Sequence, residues 1–183
     1  KKKLISAIKK LPRGATTRGK NKNTNTSAAT NIVKYGKKVS LHLGVGKGYT
    51  NWNTLPNAES DAVALQKRFQ LLDFDAKVVT GSSLTRQTIE TEINYLGEKC
   101  SENDLVIVTW SGHGATVKLA NGKEQGYLIP SDAPKPNDNG QMDRTHLPKL
   151  VSMKNVAAWM DERIRAIHAC LFLDCCFSGF ATK

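Results

Sequence analysis

The sequence lacks any long hydrophobic run. Its 183 residues contain no stretch near the roughly 18 consecutive apolar residues that predict a membrane-spanning helix. The longest apolar segments are residues 105–110 and 169–173. Internal repeats are also absent, and with only 14 glycines and 6 prolines the chain is neither collagen-like nor of low complexity. Hydrophobic residues make up 39% of it, which is enough for one globular domain with a sizeable core.

Cysteine is scarce, with four residues at positions 100, 170, 175 and 176. Four thiols are few for a disulfide framework in a chain of this length, and no CxxC pair is present. Neighbouring Cys175 and Cys176 cannot both bind one relaxed tetrahedral zinc ion. This usage is typical of a reducing compartment, and it predicts a cytoplasmic protein with at most one reactive thiol.

Acidic residues are missing from the first 38 positions, which hold 12 of the 27 basic residues. The other 15 are balanced by 16 acids, so the net charge of +11 belongs to this tail. Residues 12–31 have almost no large apolar side chain, and we predict that residues 1–38 form a basic, largely disordered segment. Alternatively, residues 1–11 form a short amphipathic helix that binds nucleic acid or anionic membrane. The solvated tail is favoured because the segment is so short.

From residue 39 the hydrophobic pattern predicts alternating strands and helices. Continuous apolar runs indicate buried strands, and apolar residues at helical spacing indicate amphipathic helices. The predicted strands are residues 39–45, 77–80, 105–110, 126–129 and 169–173, and the predicted helices are residues 57–70, a helix capped by Thr85, and a helix capped by Ser152 that extends to Ile167. This order predicts an α/β domain over residues 39–183, with a mainly parallel sheet and right-handed crossovers.

Two of the buried strands end in residues that suit nucleophilic chemistry. His113 lies three residues past one strand, and Cys176 lies three residues past the other. If the strands are neighbours, about 4.8 Å apart, the imidazole activates the thiol and later protonates the leaving amine. The amides of Gly114 and Cys176 would then hold the oxyanion. Cys175 follows its strand directly and is expected to pack inward, which favours Cys176 as the nucleophile.

A glycine-rich segment follows the first strand of the domain. Gly44-Val-Gly-Lys-Gly48 is similar to a phosphate-binding loop, but Leu41 stands where such a loop needs its first glycine, and Gly48 where it needs Ser or Thr. Both mismatches fall on positions that contact phosphate. We interpret the segment as a glycine loop beside the active-site edge.

The segments Trp110-Ser-Gly-His-Gly114 and Asp174-Cys-Cys-Phe-Ser-Gly179 resemble the histidine and cysteine motifs of caspase-like cysteine peptidases. The branch with the most similar motif is the metacaspase and bacterial orthocaspase group. The resemblance extends from about residue 39 to residue 179. It implies a three-layer sandwich with helices on both faces of the central sheet, and a catalytic dyad of His113 and Cys176.

The same resemblance implies specificity for Lys or Arg on the acyl side of the scissile bond. In that group an acidic pocket selects the cation, and the matching positions here are Asp61 in Ser60-Asp61-Ala62 and Asp174. Two carboxylates beside the thiol would pair with a guanidinium or ammonium group. Alternatively, Asp61 is an ordinary acid of a first helical turn, and Asp174 is a turn residue bonded to the backbone.

No cofactor is predicted. The candidate calcium ligands are Asp132, Asp138 and Asp143, but Lys154 stands where the resemblance leads us to expect a further acid. Hard cations need several converging oxygens. Calcium dependence is therefore not expected, and these acids are interpreted as turn formers.

The function predicted from these residues is that of a cysteine endopeptidase activated by proteolysis. The chain ends at Lys183, which an enzyme with an acidic pocket would leave by self-cleavage, with a C-terminal small fragment of the same precursor as partner. Truncation for another reason is the competing explanation. The alternative function is a catalytically silent adaptor of the same fold, whose basic tail binds nucleic acid or anionic membrane.

Overall fold

The computed structural model describes residues 5–7, 33–135, 137 and 142–175. Within them lie eight strands, three α-helices and two short 3-10 helices, at Gly81–Ser83 and Arg144–Lys149. The strands and α-helices are, in chain order, β1 (Ile5–Ala7), β2 (Lys38–Gly44), α1 (Ala58–Gln70), β3 (Asp75–Thr80), α2 (Arg86–Lys99), β4 (Leu105–Ser111), β5 (Gly114–Lys118), β6 (Glu124–Leu128), β7 (Val151–Ser152), α3 (Met153–Arg163) and β8 (His168–Asp174). The side chains of residues 5–7 are not part of this description.

The main sheet has five strands in the order β1-β8-β4-β2-β3. Strands β3, β2, β4 and β8 are parallel, whereas β1 pairs antiparallel with β8. Because parallel neighbours need crossover connections, each α-helix lies between two of these strands in the chain. The predicted α/β fold with a mainly parallel sheet is confirmed.

The two faces of the main sheet differ in polarity. On one face, alternating residues of β2 and β4 such as Leu41, Leu43 and Trp110 are buried in the hydrophobic core together with residues of α2 and α3. On the other face α1 comes so close to β2 that a Cβ atom on Gly44 would lie 2.6 Å from the Cβ of Ala62. Helices therefore cover both faces of the sheet.

A second, antiparallel sheet of β5, β6 and β7 is inserted between β4 and β8. The sequence pattern predicts its middle strand and misses β5, because Gly114–Lys118 is short and directly follows the glycine-flanked histidine. The insertion starts immediately after β4. It therefore places His113 at the junction of the two sheets.

The predicted helix caps are present. Thr85 accepts a hydrogen bond from the Thr88 N–H, and Ser152 accepts one from the Asn155 N–H. The third helix ends at Arg163 rather than extending to Ile167 as predicted. The reason is that Ile164 takes an extended backbone conformation and turns its side chain into the core.

The basic N-terminal tail contributes a strand. Residues 5–7 pair with Leu171–Leu173 of β8, so the helix considered for residues 1–11 is wrong over this part. Without residues 5–7, β8 would be an edge strand with unpaired backbone N–H and C=O groups. An extended segment can bond these groups, whereas a helix cannot. Residues 8–32 lie outside the described part of the chain, and the tail boundary at residue 38 stays a prediction. No helix in the described residues is long and apolar enough to cross a membrane.

A buried histidine connects the strands on the α1 face. His42 is 0% exposed; its Nδ1 lies 3.0 Å from the Thr109 hydroxyl and its Nε2 lies 3.0 Å from the Ser40 hydroxyl. Its ring also contacts Phe69, with 4.9 Å between ring centroids. Burial lowers the pKa of His42 to about 4, because the imidazolium would lose its hydration there. The two hydroxyls satisfy the neutral ring.

This burial predicts a loss of stability in mild acid. The unfolded chain binds a proton at His42 near pH 6.5, whereas the folded chain resists protonation down to about pH 4. The contribution of His42 is therefore complete above pH 6.5 and decreases as the pH falls toward 4. Between pH 7.5 and 5.0 we expect this residue alone to lower the free energy of unfolding by about 2 kcal/mol.

Urea denaturation of the wild type and of His42→Gln at both pH values measures this effect. The variant, which cannot titrate at this position, should lose about 2 kcal/mol less than the wild type between the two pH values. An equal loss in both proteins would contradict the prediction.

Candidate active site

The ends of β4 and β8 lie side by side. The strands pair in parallel, with Ser111 opposite Asp174, and the Gly112 N–H donates a 3.3 Å hydrogen bond to the Asp174 carbonyl. His113 therefore follows β4 at the same offset at which Cys176 follows β8. The sequence predicts that the thiol and the imidazole meet only if these two strands are neighbours, and in the sheet they are. Cys176 and Lys183 lie outside the described residues.

The His113 imidazole lies between two aromatic rings. It is half-buried, and its ring centroid is 4.9 Å from that of Tyr49 and 5.3 Å from that of Trp52. Its Nε2 lies 2.8 Å from the Asn53 carbonyl oxygen. A carbonyl only accepts, so Nε2 carries the hydrogen and Nδ1 of the neutral ring is the acceptor. The contact thus defines the tautomer that a general base at Nδ1 requires.

The backbone of His113 is held as firmly as its side chain. The His113 N–H donates to the Tyr49 hydroxyl at 2.7 Å, and that hydroxyl donates to the Ile129 carbonyl at 3.0 Å. The Ile129 N–H donates back to the His113 carbonyl at 3.2 Å. Burial raises the pKa of the Tyr49 phenol far above its usual value, so the hydroxyl keeps its proton and remains a donor.

The groups that contact the His113 imidazole, namely two aromatic rings and one carbonyl, come from residues 46–53. This segment follows β2, and we call it the 46–53 loop. Its first three amides converge on a single carboxylate oxygen, Glu59 Oε1. The Gly46, Lys47 and Gly48 N–H groups lie 3.0, 2.7 and 3.0 Å from it. The amides that would bind a phosphate in a phosphate-binding loop are thus occupied by an acid of α1.

Both glycines of this loop are required by close backbone contacts. A Cβ atom on Gly46 would lie 2.2 Å from the Leu55 carbonyl oxygen, and one on Gly48 would lie 2.2 Å from the carbonyl carbon of Gly81. No side chain fits at such distances without moving the backbone. The glycines therefore serve the packing of the loop.

The second half of the 46–53 loop is bonded to the segment that follows β6. The Thr50 N–H donates to the Ser131 carbonyl at 3.3 Å. The Asn51 Nδ2 donates to the Ala133 carbonyl at 3.1 Å, and the Trp52 Nε1 donates to the Pro134 carbonyl at 3.0 Å. These bonds hold Trp52 and the Asn53 carbonyl against the imidazole.

Three of the four thiols lie in the described residues. Cys175 is half-buried and packs against the hydrophobic core, as the sequence predicts. Burial raises the pKa of the Cys100 and Cys170 thiols, which makes them poor nucleophiles.

Gly114 is the first residue of β5 and lies opposite Leu128 of β6. In an antiparallel ladder hydrogen-bonded and non-hydrogen-bonded pairs alternate, and the Ile129 N–H bonds the His113 carbonyl one position earlier. The Gly114 pair is therefore of the non-hydrogen-bonded type. Its N–H is directed away from β6, which is what a donor to an oxyanion needs.

Asp174 ends β8 at the edge where β2 and β4 also end, and the first turn of α1, which contains Asp61, packs against Gly44 at the end of β2. Gly44, Ser111 and Asp174 form one row across β2, β4 and β8, so Gly44 and Asp174 are about 10 Å apart, two strand spacings. Asp61 lies next to Ala62, the α1 residue that contacts Gly44. Asp174 is exposed and Asp61 is half-buried. Their roles in binding substrate stay predictions.

The acids considered for calcium have other surroundings. Asp143 accepts hydrogen bonds from the Thr145 N–H and hydroxyl, both at 2.8 Å, and the N–H bond lowers its pKa. Asp132 is exposed, and Asp138 lies outside the described residues. No group of three or more His, Cys, Asp or Glu side chains that could hold a metal occurs in the described ranges. The expectation about calcium stays a prediction.

Sequence reasoning missed four parts of this site: Tyr49, Trp52, the Asn53 carbonyl and Glu59. Two aromatic residues in a short polar loop after a buried strand were a usable signal for Tyr49 and Trp52. The glycine spacing signalled a tight loop but not the carboxylate that it surrounds. A main-chain carbonyl such as that of Asn53 has no signal in a sequence.

Comparison with known proteins gives a family and a fold. The family model described as "Caspase domain" matches residues 40–183. Among solved structures, the chain is similar to the crystal structure of a protein from Geobacter sulfurreducens, with a TM-score of 0.61 and 18% identity over 79% of this chain and 52% of that one. At this identity the similarity concerns the fold, and this chain spans about half the length of that protein. The comparison with curated proteins found no match.

The carboxylate of Glu59 is expected to stabilise the folded chain through the 46–53 loop. Glu59→Gln keeps an acceptor oxygen but removes the charge that strengthens three hydrogen bonds, which should lower the free energy of unfolding by about 1–2 kcal/mol. The matched control is Glu98→Gln on the exposed side of α2, where a change within about 0.5 kcal/mol is expected. Urea denaturation of both variants measures the difference. Equal stabilities would show that the loop does not depend on this charge.

Proposed function

Because this chain belongs to the caspase domain family, we propose that it is a cysteine endopeptidase in which Cys176 is the nucleophile and His113 the general base and acid. The observation that carries the proposal is the placement of the His113 imidazole. It lies beyond the end of β4, next to the strand that leads to Cys176. Its Nε2 is committed to the Asn53 carbonyl at 2.8 Å, which leaves Nδ1 to exchange a proton with the thiol.

The reaction begins with transfer of the Cys176 thiol proton to Nδ1 of His113. The resulting imidazolium is stabilised by its bond to the Asn53 carbonyl and by the two aromatic rings whose centroids lie 4.9 and 5.3 Å away. The thiolate then attacks the scissile carbonyl carbon, and the N–H groups of Gly114 and Cys176 hold the oxyanion. His113 gives its proton to the leaving amine, which leaves a thioester. Water, deprotonated by His113, hydrolyses the thioester and restores the thiol.

Specificity for Lys or Arg is the finer part of the proposal. Asp61 and Asp174 supply negative charge at the edge where the strands end, on either side of Ser111. Glu59 is assigned to the 46–53 loop instead, because its Oε1 accepts three amide hydrogen bonds there. A substrate cation between Asp61 and Asp174 would pair with both carboxylates.

A panel of fluorogenic peptides ending in Arg, Lys or Asp tests the activity on the full-length protein. We expect turnover of the Arg and Lys peptides, no turnover by Cys176→Ala, and a loss of about 100-fold or more in His113→Ala. Cys175→Ala is the matched thiol control and should keep measurable turnover. Failure of the wild type to cleave any peptide would contradict the proposal and favour the adaptor. Preference for the Asp peptide would contradict the specificity alone.

Neutralising either pocket acid should weaken discrimination for cations. We expect Asp61→Asn and Asp174→Asn each to lower kcat/KM for the Arg peptide by about 10-fold to 100-fold, through the loss of a charged pairing worth about 1.5–3 kcal/mol. Asp73→Asn is the control, since this acid is 93% exposed in its side chain and follows the far end of α1. Unchanged kcat/KM in both pocket variants would rule out the assignment.

A further inference from the structure

We propose that Tyr49 is a positioning residue of this peptidase, whose buried hydroxyl fixes the backbone of His113 and thereby the place of the imidazole. The inference rests on the proposed function and assigns a role to a residue outside the dyad, the oxyanion donors and the pocket acids. Tyr49 does not react with substrate. It acts on the reaction through His113.

The hydroxyl closes a ring of hydrogen bonds around one residue. It accepts from the His113 N–H at 2.7 Å and donates to the Ile129 carbonyl at 3.0 Å, while the Ile129 N–H returns to the His113 carbonyl at 3.2 Å. The His113 N–H is thus bonded to Tyr49 and the His113 carbonyl to Ile129, and these two partners are bonded to each other. The hydroxyl oxygen of Tyr49 therefore joins the 46–53 loop, the start of β5 and the segment after β6. The start of β5 cannot shift relative to the loop without breaking a buried hydrogen bond.

The surroundings of the hydroxyl leave it little freedom. Tyr49 is 7% exposed, and a Cβ atom on Gly112 would lie 3.0 Å from its hydroxyl oxygen and 3.0 Å from the Trp110 ring. The residue before the histidine therefore has to be small for the phenol to reach the His113 N–H. This fit links Gly112 of the histidine motif to a loop that the motif does not include.

The ring of Tyr49 contacts the side chain of His113, whose backbone its hydroxyl bonds. The centroid of the Tyr49 ring is 4.9 Å from that of the imidazole. Trp52 also contacts the imidazole, but its Nε1 is bonded to the Pro134 carbonyl. Among the described residues, Tyr49 is thus the side chain that contacts the histidine through both its ring and its hydrogen-bonding group.

Removal of the hydroxyl should affect the chemical step more than substrate binding. In Tyr49→Phe the His113 N–H and the Ile129 carbonyl lose their shared partner, and the imidazole shifts relative to the Asn53 carbonyl and the thiol. Since a displacement of about 1 Å costs catalysis about 100-fold, we expect kcat to fall by about 10-fold to 100-fold with KM within about twofold. A less well stabilised imidazolium also supports less thiolate at a given pH, because it is the partner charge of the ion pair.

The test measures kcat, KM and the pH dependence of Cys176 alkylation in the wild type and in Tyr49→Phe. Iodoacetamide reacts with the thiolate, which displaces iodide, and mass spectrometry of the Cys176 peptide reports the rate without any substrate. We expect the midpoint of the alkylation profile to move to higher pH by about half a unit or more, as thiolate formation depends on the imidazolium. Tyr127→Phe is the matched control, since Tyr127 is a second buried tyrosine, 5% exposed, on β6.

Two further variants separate positioning from folding. A 3-fluorotyrosine at position 49 keeps the hydroxyl and should restore kcat and the alkylation midpoint. Gly112→Ala keeps every bonding group but crowds the hydroxyl, and it should lower kcat in the same direction by a smaller factor. It serves as the test if Tyr49→Phe does not fold.

The possible results separate this inference from the proposed function. An inactive wild type with no pH-dependent thiolate at Cys176 overturns the peptidase and this inference together. An active wild type whose Tyr49→Phe variant keeps kcat and its alkylation profile overturns the inference alone. A loss of kcat that Tyr127→Phe reproduces at equal loss of stability overturns it as well, because the effect would then be structural.

Discussion

The parallel pairing of β4 with β8 is the constraint on which the candidate site depends. The last residues of the two strands, Ser111 and Asp174, lie opposite each other, so the chain that leaves each strand starts from the same edge. This register is strongly determined, because a slip by one residue would turn the side chains of the apolar core face toward α1 and those of the α1 face into the core. Trp110 and Val108, buried at 1% exposure each, hold β4 in that register.

The two faces of the sheet differ in composition and in what packs against them. The face toward α2 and α3 is apolar and contains the main hydrophobic core. On the face toward α1, strand β2 carries the small or polar residues Ser40, His42 and Gly44, and the His42 imidazole bonds the hydroxyls of Ser40 and Thr109. That arrangement lets α1 approach β2 closely and brings its first turn, with Asp61 and Glu59, to the edge where the strands end. A bulkier face would move both acids away from the site.

The 46–53 loop fixes the position of the imidazole at the end of β4. Glu59 anchors the beginning of the loop through three amides, and backbone carbonyls after β6 anchor its end. Tyr49 lies between these anchors and bonds the histidine directly. The shape of the loop thus follows from specific hydrogen bonds, and those to the segment after β6 join residues 82 positions apart. Hydrogen bonds of this kind hold the imidazole in a defined place without any bound ligand.

Much of the fold was predictable from the sequence. Most strands of the main sheet and the helix caps at Thr85 and Ser152 follow from local hydrophobic periodicity and capping chemistry, which depend on residues close together in the chain. That the two motif strands are neighbours was only a condition in the sequence analysis, and the strand order of the sheet supplies it. The strand over residues 5–7 and strand β5 were not predictable, because short segments form strands only when a partner edge is present.

The sequence by itself determined which residues can do the chemistry: a thiol and an imidazole after two buried strands, with acids nearby. Only the tertiary structure decided how the imidazole is held. The partners of the Tyr49 hydroxyl are 64 and 80 positions away along the chain, and the acceptor for Nε2 is a main-chain oxygen that any residue at position 53 would provide. Contacts of this kind arise from packing in three dimensions, so no local pattern of residue types encodes them.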